Sequence, residues 1–95
     1  SEEGDRREKF ALELSLSAMK GDPDAGRRLQ QQEQQLRRRL QQAENDLAVL
    51  KNNLEFFARS RNAEQLRADF KIKIDAATAE VASIKTKLKL VRAAF

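Results

Sequence analysis

Residues 29–57, LQQQEQQLRRRLQQAENDLAVLKNNLEFF, and residues 70–95, FKIKIDAATAEVASIKTKLKLVRAAF, decide the fold. From Leu36 onward, apolar residues in the first segment recur in alternating steps of four and three: Leu36, Leu40, Ala43, Leu47, Leu50, Leu54 and Phe57. That is the 3.5-residue repeat of a coiled-coil seam, with Leu40, Leu47 and Leu54 at a positions and Leu29, Leu36, Ala43, Leu50 and Phe57 at d. In the second segment Ile74, Val81, Leu88 and Phe95 take a, while Phe70, Ala77, Ile84 and Val91 take d. One continuous helix would keep a single phase through both segments. It does not, because Leu54 and Ile74 are twenty residues apart, one short of three heptads.

Folding the chain back about Asn62 removes the conflict. Paired residue numbers then sum to 124, and each layer sets an a against a d: Leu54 with Phe70, Leu50 with Ile74, Leu47 with Ala77, Ala43 with Val81, Leu40 with Ile84, Leu36 with Leu88 and Leu29 with Phe95. Small alanines face larger aliphatics, which keeps the layer volumes similar. Only Glu33 opposite Val91 breaks the pattern, near the open end where a carboxylate reaches water. The expected fold is all-α, an antiparallel two-helix coiled-coil hairpin preceded by a short N-terminal helix.

Working outward, the linker Gly21-Asp22-Pro23-Asp24 separates the two parts, residues 1–21 and 22–95. Gly21 suits a left-handed C′ position, Asp22 an N-cap and Pro23 the first helical turn. The hairpin helices are expected over about 23–59 and 63–94, with the turn within 59–64. Asn62 is the expected N-cap of the second, with Gln65 as its capping-box partner. Upstream, residues 10–19 alternate in part like a strand, but Leu, Ala, Met and Glu favour helix, and no strand partner follows. A short helix is predicted from about Asp5 to Lys20, after a charged and frayed start.

Composition narrows the function. Ninety-five residues make at most one small domain, and 36% charged residues with no Trp or Tyr suit exposed helices. Neither His nor Cys is present, which leaves no zinc site of the usual ligands, no thiolate nucleophile and no disulfide. No glycine-rich phosphate loop occurs, and the carboxylates are spread along a rod with no cleft to tune a general acid. We therefore expect no enzyme activity, no cofactor and no small-molecule substrate. No apolar run approaches the roughly 20 residues that span a bilayer, so no membrane partner is expected. The absence of cysteine fits a reducing compartment. A first residue other than Met suggests a fragment of a longer protein.

Two surface signals remain. Residues 1–26 carry net charge −3 and residues 27–95 carry +7. In the folded-back register Arg37, Arg38 and Arg39 lie beside Lys85, Lys87 and Lys89, one basic belt that would suit RNA or DNA phosphates. No aromatic is interleaved to stack bases. The simpler account, which outweighs it, is that these are ordinary solvated coiled-coil positions, some paired with acids as Arg39 with Glu80 or Lys85 with Glu44. Second, Val49 and Phe56 on the first helix and Ile72 and Leu90 on the second lie off the seam. A two-helix rod is marginal alone, so Val49, Phe56 and Ile72 are expected to meet another helix, from this chain or another. A protein partner or self-association is therefore expected.

The run Ala43-Glu-Asn-Asp-Leu-Ala-Val-Leu-Lys-Asn-Asn-Leu-Glu-Phe-Phe57, a polar turn, and a second helix ending KLKLVR resemble a known tail. It is the C-terminal coiled-coil region of a bacterial family of uncharacterised helical-repeat proteins, and the resemblance covers about residues 27–92. It implies a bacterial cytoplasmic protein and a C-terminal fragment. It brings no activity, ligand or catalytic residue.

Overall fold

The computed structural model describes all 95 residues and contains three helices and no strand: α1 (Glu2–Ala18), α2 (Ala25–Phe57) and α3 (Ala63–Ala93). α1 starts earlier than its composition suggests. The Ser1 hydroxyl accepts from the Gly4 N–H at 3.0 Å, and Glu2, Glu3 and Asp5 place negative charge in the first turn, where the helix dipole favours it. Residues 2–9 are therefore helical rather than frayed. Gly21 ends the α1 connection at φ +79°, in the left-handed region expected of it.

Asp22 does not cap α2. Its Oδ1 instead accepts from the Asp24 N–H at 2.8 Å, and its Oδ2 from Arg28 at 3.0 Å. α2 then begins at Ala25 behind Asp24. From there no Gly beyond Gly26 and no Pro interrupts either long helix. The solvent face of α2 carries Gln41–Asn45 and Gln42–Asp46 hydrogen bonds one turn apart, at 3.0 and 2.9 Å.

The α2–α3 connection is residues 58–62. Asn62 lies at φ 59°, ψ 33°, a left-handed conformation that Asn tolerates better than most residues. Side-chain capping requires an extended N-cap backbone, so the expected capping box with Gln65 does not form. Gln65 donates to Asp69 instead, at 2.9 Å. Arg67 closes the turn by donating to the Ala58 carbonyl at 3.0 Å.

α2 packs against α3 as in a hairpin. Glu33 meets Arg92 at 3.4 Å and Arg39 meets Glu80 at 3.6 Å, while Arg67 meets Ala58, so α3 runs back along α2. The rows Leu36 to Leu54 and Phe70 to Val91, at the seam positions named above, are the buried or half-buried apolar rows of the two helices. The molecule measures 61 × 23 × 13 Å.

Burial is uneven along that length. The core cluster of Met19, Leu29, Leu36, Ile84, Leu88 and Val91 lies wholly at the open end, where Leu12 and Leu16 of α1 pack over it. Leu47, Leu50, Leu54, Phe70 and Ile74, nearer the tip, are only half-buried, because two helices leave the flanks of each layer open to water. The expected Leu29–Phe95 layer is not made. α3 stops at Ala93, Phe95 is exposed, and Met19 from the α1–α2 connection joins Leu29 in the cluster. Phe57 is 41% exposed, Leu90 is half-buried rather than outward, and Ala63 is buried in the first turn of α3.

Candidate interaction surfaces

At the open end, α1 lies along one flank of the hairpin. Glu8 makes the central contact. Its Oε1 accepts from Arg39 Nη1 of α2 at 2.6 Å, and its Oε2 pairs with Lys87 Nζ of α3 at 2.9 Å. Arg39 also reaches Glu80 of α3, the pairing expected from sequence. One carboxylate thus ties all three helices. The Arg39 hydrogen bond, and then that of Lys87, holds the Glu8 carboxyl below the usual carboxylate range. Reciprocally, the Glu8 hydrogen bond raises the Arg39 guanidinium above its ordinary value.

Lys87 is the unusual member. Its side chain is only 2% exposed, packed beside Ile84, Leu88 and Val91, and Glu8 is its one ion-pair partner. A buried ammonium is tolerated only when paired. Two α1 turns further, the Ser15 hydroxyl accepts from Gln32 Nε2 at 3.4 Å, and Gln32 Oε1 is buried with no hydrogen-bond partner.

This geometry divides the basic belt. Arg39 and Lys87 are both paired with Glu8 at the three-helix end, Lys87 buried there and Arg39 still 43% exposed. Arg37, Arg38, Lys85 and Lys89 are exposed and form no ion pair; the anticipated Glu44–Lys85 pair is absent. Sequence reasoning missed Glu8, because residues 1–9 read as a frayed tail. The available signal was the helical spacing of Glu8, Leu12, Ser15, Leu16 and Met19, which puts one carboxylate on the apolar face.

The off-seam apolar residues stay uncovered. Phe56 is 78%, Ile72 69% and Val49 56% exposed, and the Phe56 and Phe57 rings meet edge-on at 5.0 Å. α1 does not reach them, since it docks at the opposite end of the rod. The within-chain partner anticipated for these three residues is therefore not α1. On α1 itself, Phe10 and Leu14 are exposed one turn apart. No group of three or more acidic residues is placed to hold a metal ion, and no helix is long and apolar enough to cross a membrane.

No protein-family model matches the chain, and neither a curated protein nor a solved structure matches it.

Proposed function

We propose that the chain is a non-catalytic protein–protein interaction or structural module: an antiparallel coiled-coil hairpin, in the register that sums to 124, braced at its open end by α1. The observation that carries this is the bare outer half of the rod, where Phe56, Val49 and Ile72 hold large apolar area in water. In this register Gln32, Arg39 and Lys87, which α1 contacts, are g positions. Val49 and Phe56 are c positions on the same flank, further towards the tip. A helix laid end to end with α1 covers them. A second copy of the chain is the occupant we favour, because its hairpin supplies both the helix and a matching half-buried seam. Fully burying one large apolar side chain contributes about 1.5–3 kcal/mol.

The test is Phe56→Glu, followed by sedimentation. The variant is expected to lower the association state while helicity and α1 protection from hydrogen exchange stay unchanged. A wild-type chain that is monomeric at every concentration, with Phe56→Glu indistinguishable from it, removes self-association through this face.

A second reading is a basic arm for RNA or DNA phosphates. The exposed, unpaired Arg37, Arg38, Lys85 and Lys89 favour it, and the pairing of Arg39 and Lys87 with Glu8 weighs against it. Its signature is affinity that falls steeply with salt through counterion release, which an apolar face does not show. Membership of the helical-repeat family, and a bacterial cytoplasmic setting, remain proposals of the same rank.

A further inference from the structure

The surface beneath α1 is built more specifically than α1 fills it. Its floor is apolar, formed by Leu29, Leu36, Ile84, Leu88 and Val91. Its two polar features are demanding: a nearly fully buried ammonium, Lys87, and the half-buried Gln32, whose Oε1 is itself buried. Lys87 needs an anion, and only Glu8 supplies one. Gln32 is half-satisfied. Whichever way its amide is turned, Ser15 can engage one end, and the other end is left without a partner.

α1 covers this surface through a small apolar contact and the two Glu8 ion pairs. None of its residues is fully buried, and its apolar grip consists of Leu12 and Leu16, with Met19 just beyond its end. Phe10 and Leu14 point away into water. An open cleft of about 310 Å³ remains beside Glu8, between Leu12 and Gln32. A site with a fixed charge requirement and an unmet hydrogen bond, under a helix none of whose residues is fully buried, is a site for exchange.

We propose that the α2–α3 surface at the open end is a docking groove for an acidic amphipathic helix from a partner protein, and that α1 is its displaceable resident. Recognition follows from chemistry already in place. The incoming helix brings a carboxylate to Lys87 and Arg39, leucines four and eight residues later to the apolar floor, and an amide in place of Ser15 to pair with Gln32. This inference rests on the chain being an interaction module but not on the Phe56 face, so the two tests fail independently.

The experiment uses the full chain carrying Leu12→Asp and Leu16→Asp, which removes the grip of α1 and leaves every groove residue intact. The probe is a fluorescent peptide of residues 1–20, read by anisotropy. The variant chain is expected to bind the peptide at least tenfold more tightly than the wild-type chain, whose own α1 competes. A Glu8→Gln peptide should bind roughly tenfold or more weakly, the scale of a lost hydrogen bond to a charged group. A Ser15→Asn peptide should bind roughly fivefold more tightly, the scale of one added hydrogen bond. Should the double variant lose its helicity, the full chain carrying Glu8→Gln serves as receptor, with the same order expected. Absence of peptide binding by a receptor whose α1 has lost hydrogen-exchange protection overturns the proposal, as does equal binding of the three peptides. A wild-type dimer that the peptide dissociates overturns it in a different way, by placing a second copy's α1 in the groove.

Discussion

Glu33 shows how a residue that breaks a pattern acquires a local use. It interrupts the seam opposite Val91, yet its carboxylate accepts from Arg92 at 3.4 and 3.5 Å and keeps a path to water. Arg92 is more than half exposed, so this bridge contributes about 0–1 kcal/mol. A leucine at the same position adds apolar burial to a layer that already holds Val91. Glu33→Leu is therefore expected to stabilise by about 1 kcal/mol, raising Tm by roughly 4–8 °C in a thermal melt. No rise would mean that the bridge matters more than the layer. Glu33 was legible in the sequence because the seam around it is periodic. Glu8 was not, since its role depends on two cations brought together by helices that lie far downstream in the chain. The sorting of Arg39 and Lys87 from Arg37, Arg38, Lys85 and Lys89 was hidden for the same reason.

At the level of the helices, α1 changes what its neighbours are worth. Where it covers the hairpin, seam residues are fully buried; beyond it they are half-buried. Ile84→Ala, at a position 1% exposed, should cost about 2–5 kcal/mol. Leu54→Ala, near the tip, should cost well under that, and urea melts of the two variants make the comparison. Equal costs would show that α1 adds no burial.

The attachment of α1 also carries a pH dependence, and its sign follows from Glu8. Its folded carboxyl lies below the ordinary value of 4.5. The stability it lends is thus fully present above that value and is lost as pH falls through the lower, folded value. The groups facing it are Arg39 from α2 and Lys87 from α3, with Glu80 behind Arg39; Asp5, Arg6 and Lys9 flank Lys87 from α1 itself. Acidification through the lowered Glu8 range, below the ordinary 4.5, should therefore release amide protection across residues 2–18 before hairpin helicity falls. Simultaneous loss of both would mean that the three helices unfold as one unit. That α1 would be a helix was readable from its composition. The short connection to α2 holds it at the open end, but the flank it takes was not readable, because Leu12, Leu16 and Met19 fit either side and the pairing of Glu8 with Arg39 and Lys87 is not visible in the sequence.

For the whole molecule, the folded-back register makes one covalent prediction. Cysteines replacing Leu40 and Ile84, opposite each other in the sum-to-124 pairing, should oxidise within a single chain, as seen by a mobility shift without dimer formation on a non-reducing gel. Cross-links only between chains would mean that the long helices pair with another molecule. The pairing of two long helices was legible because the apolar repeat changes phase near Asn62, and the turn at residues 58–62 accommodates that change. The ends were less legible. A repeat does not say where a helix stops, which is why Phe95 falls outside the core and Met19 joins Leu29 within it.

The contrast between a three-helix end and a two-helix end has a mechanical consequence. The rod resembles a beam clamped at one end and slender at the other. Tension applied between the two ends of the molecule would be borne by ion pairs and a closed core at the clamp. Tension that pulls α2 and α3 apart at the tip would meet one half-wet layer at a time and peel them like a zip. The molecule is therefore stiff or compliant according to where it is grasped, and bending fluctuations collect in the slender half, around the Phe56 face.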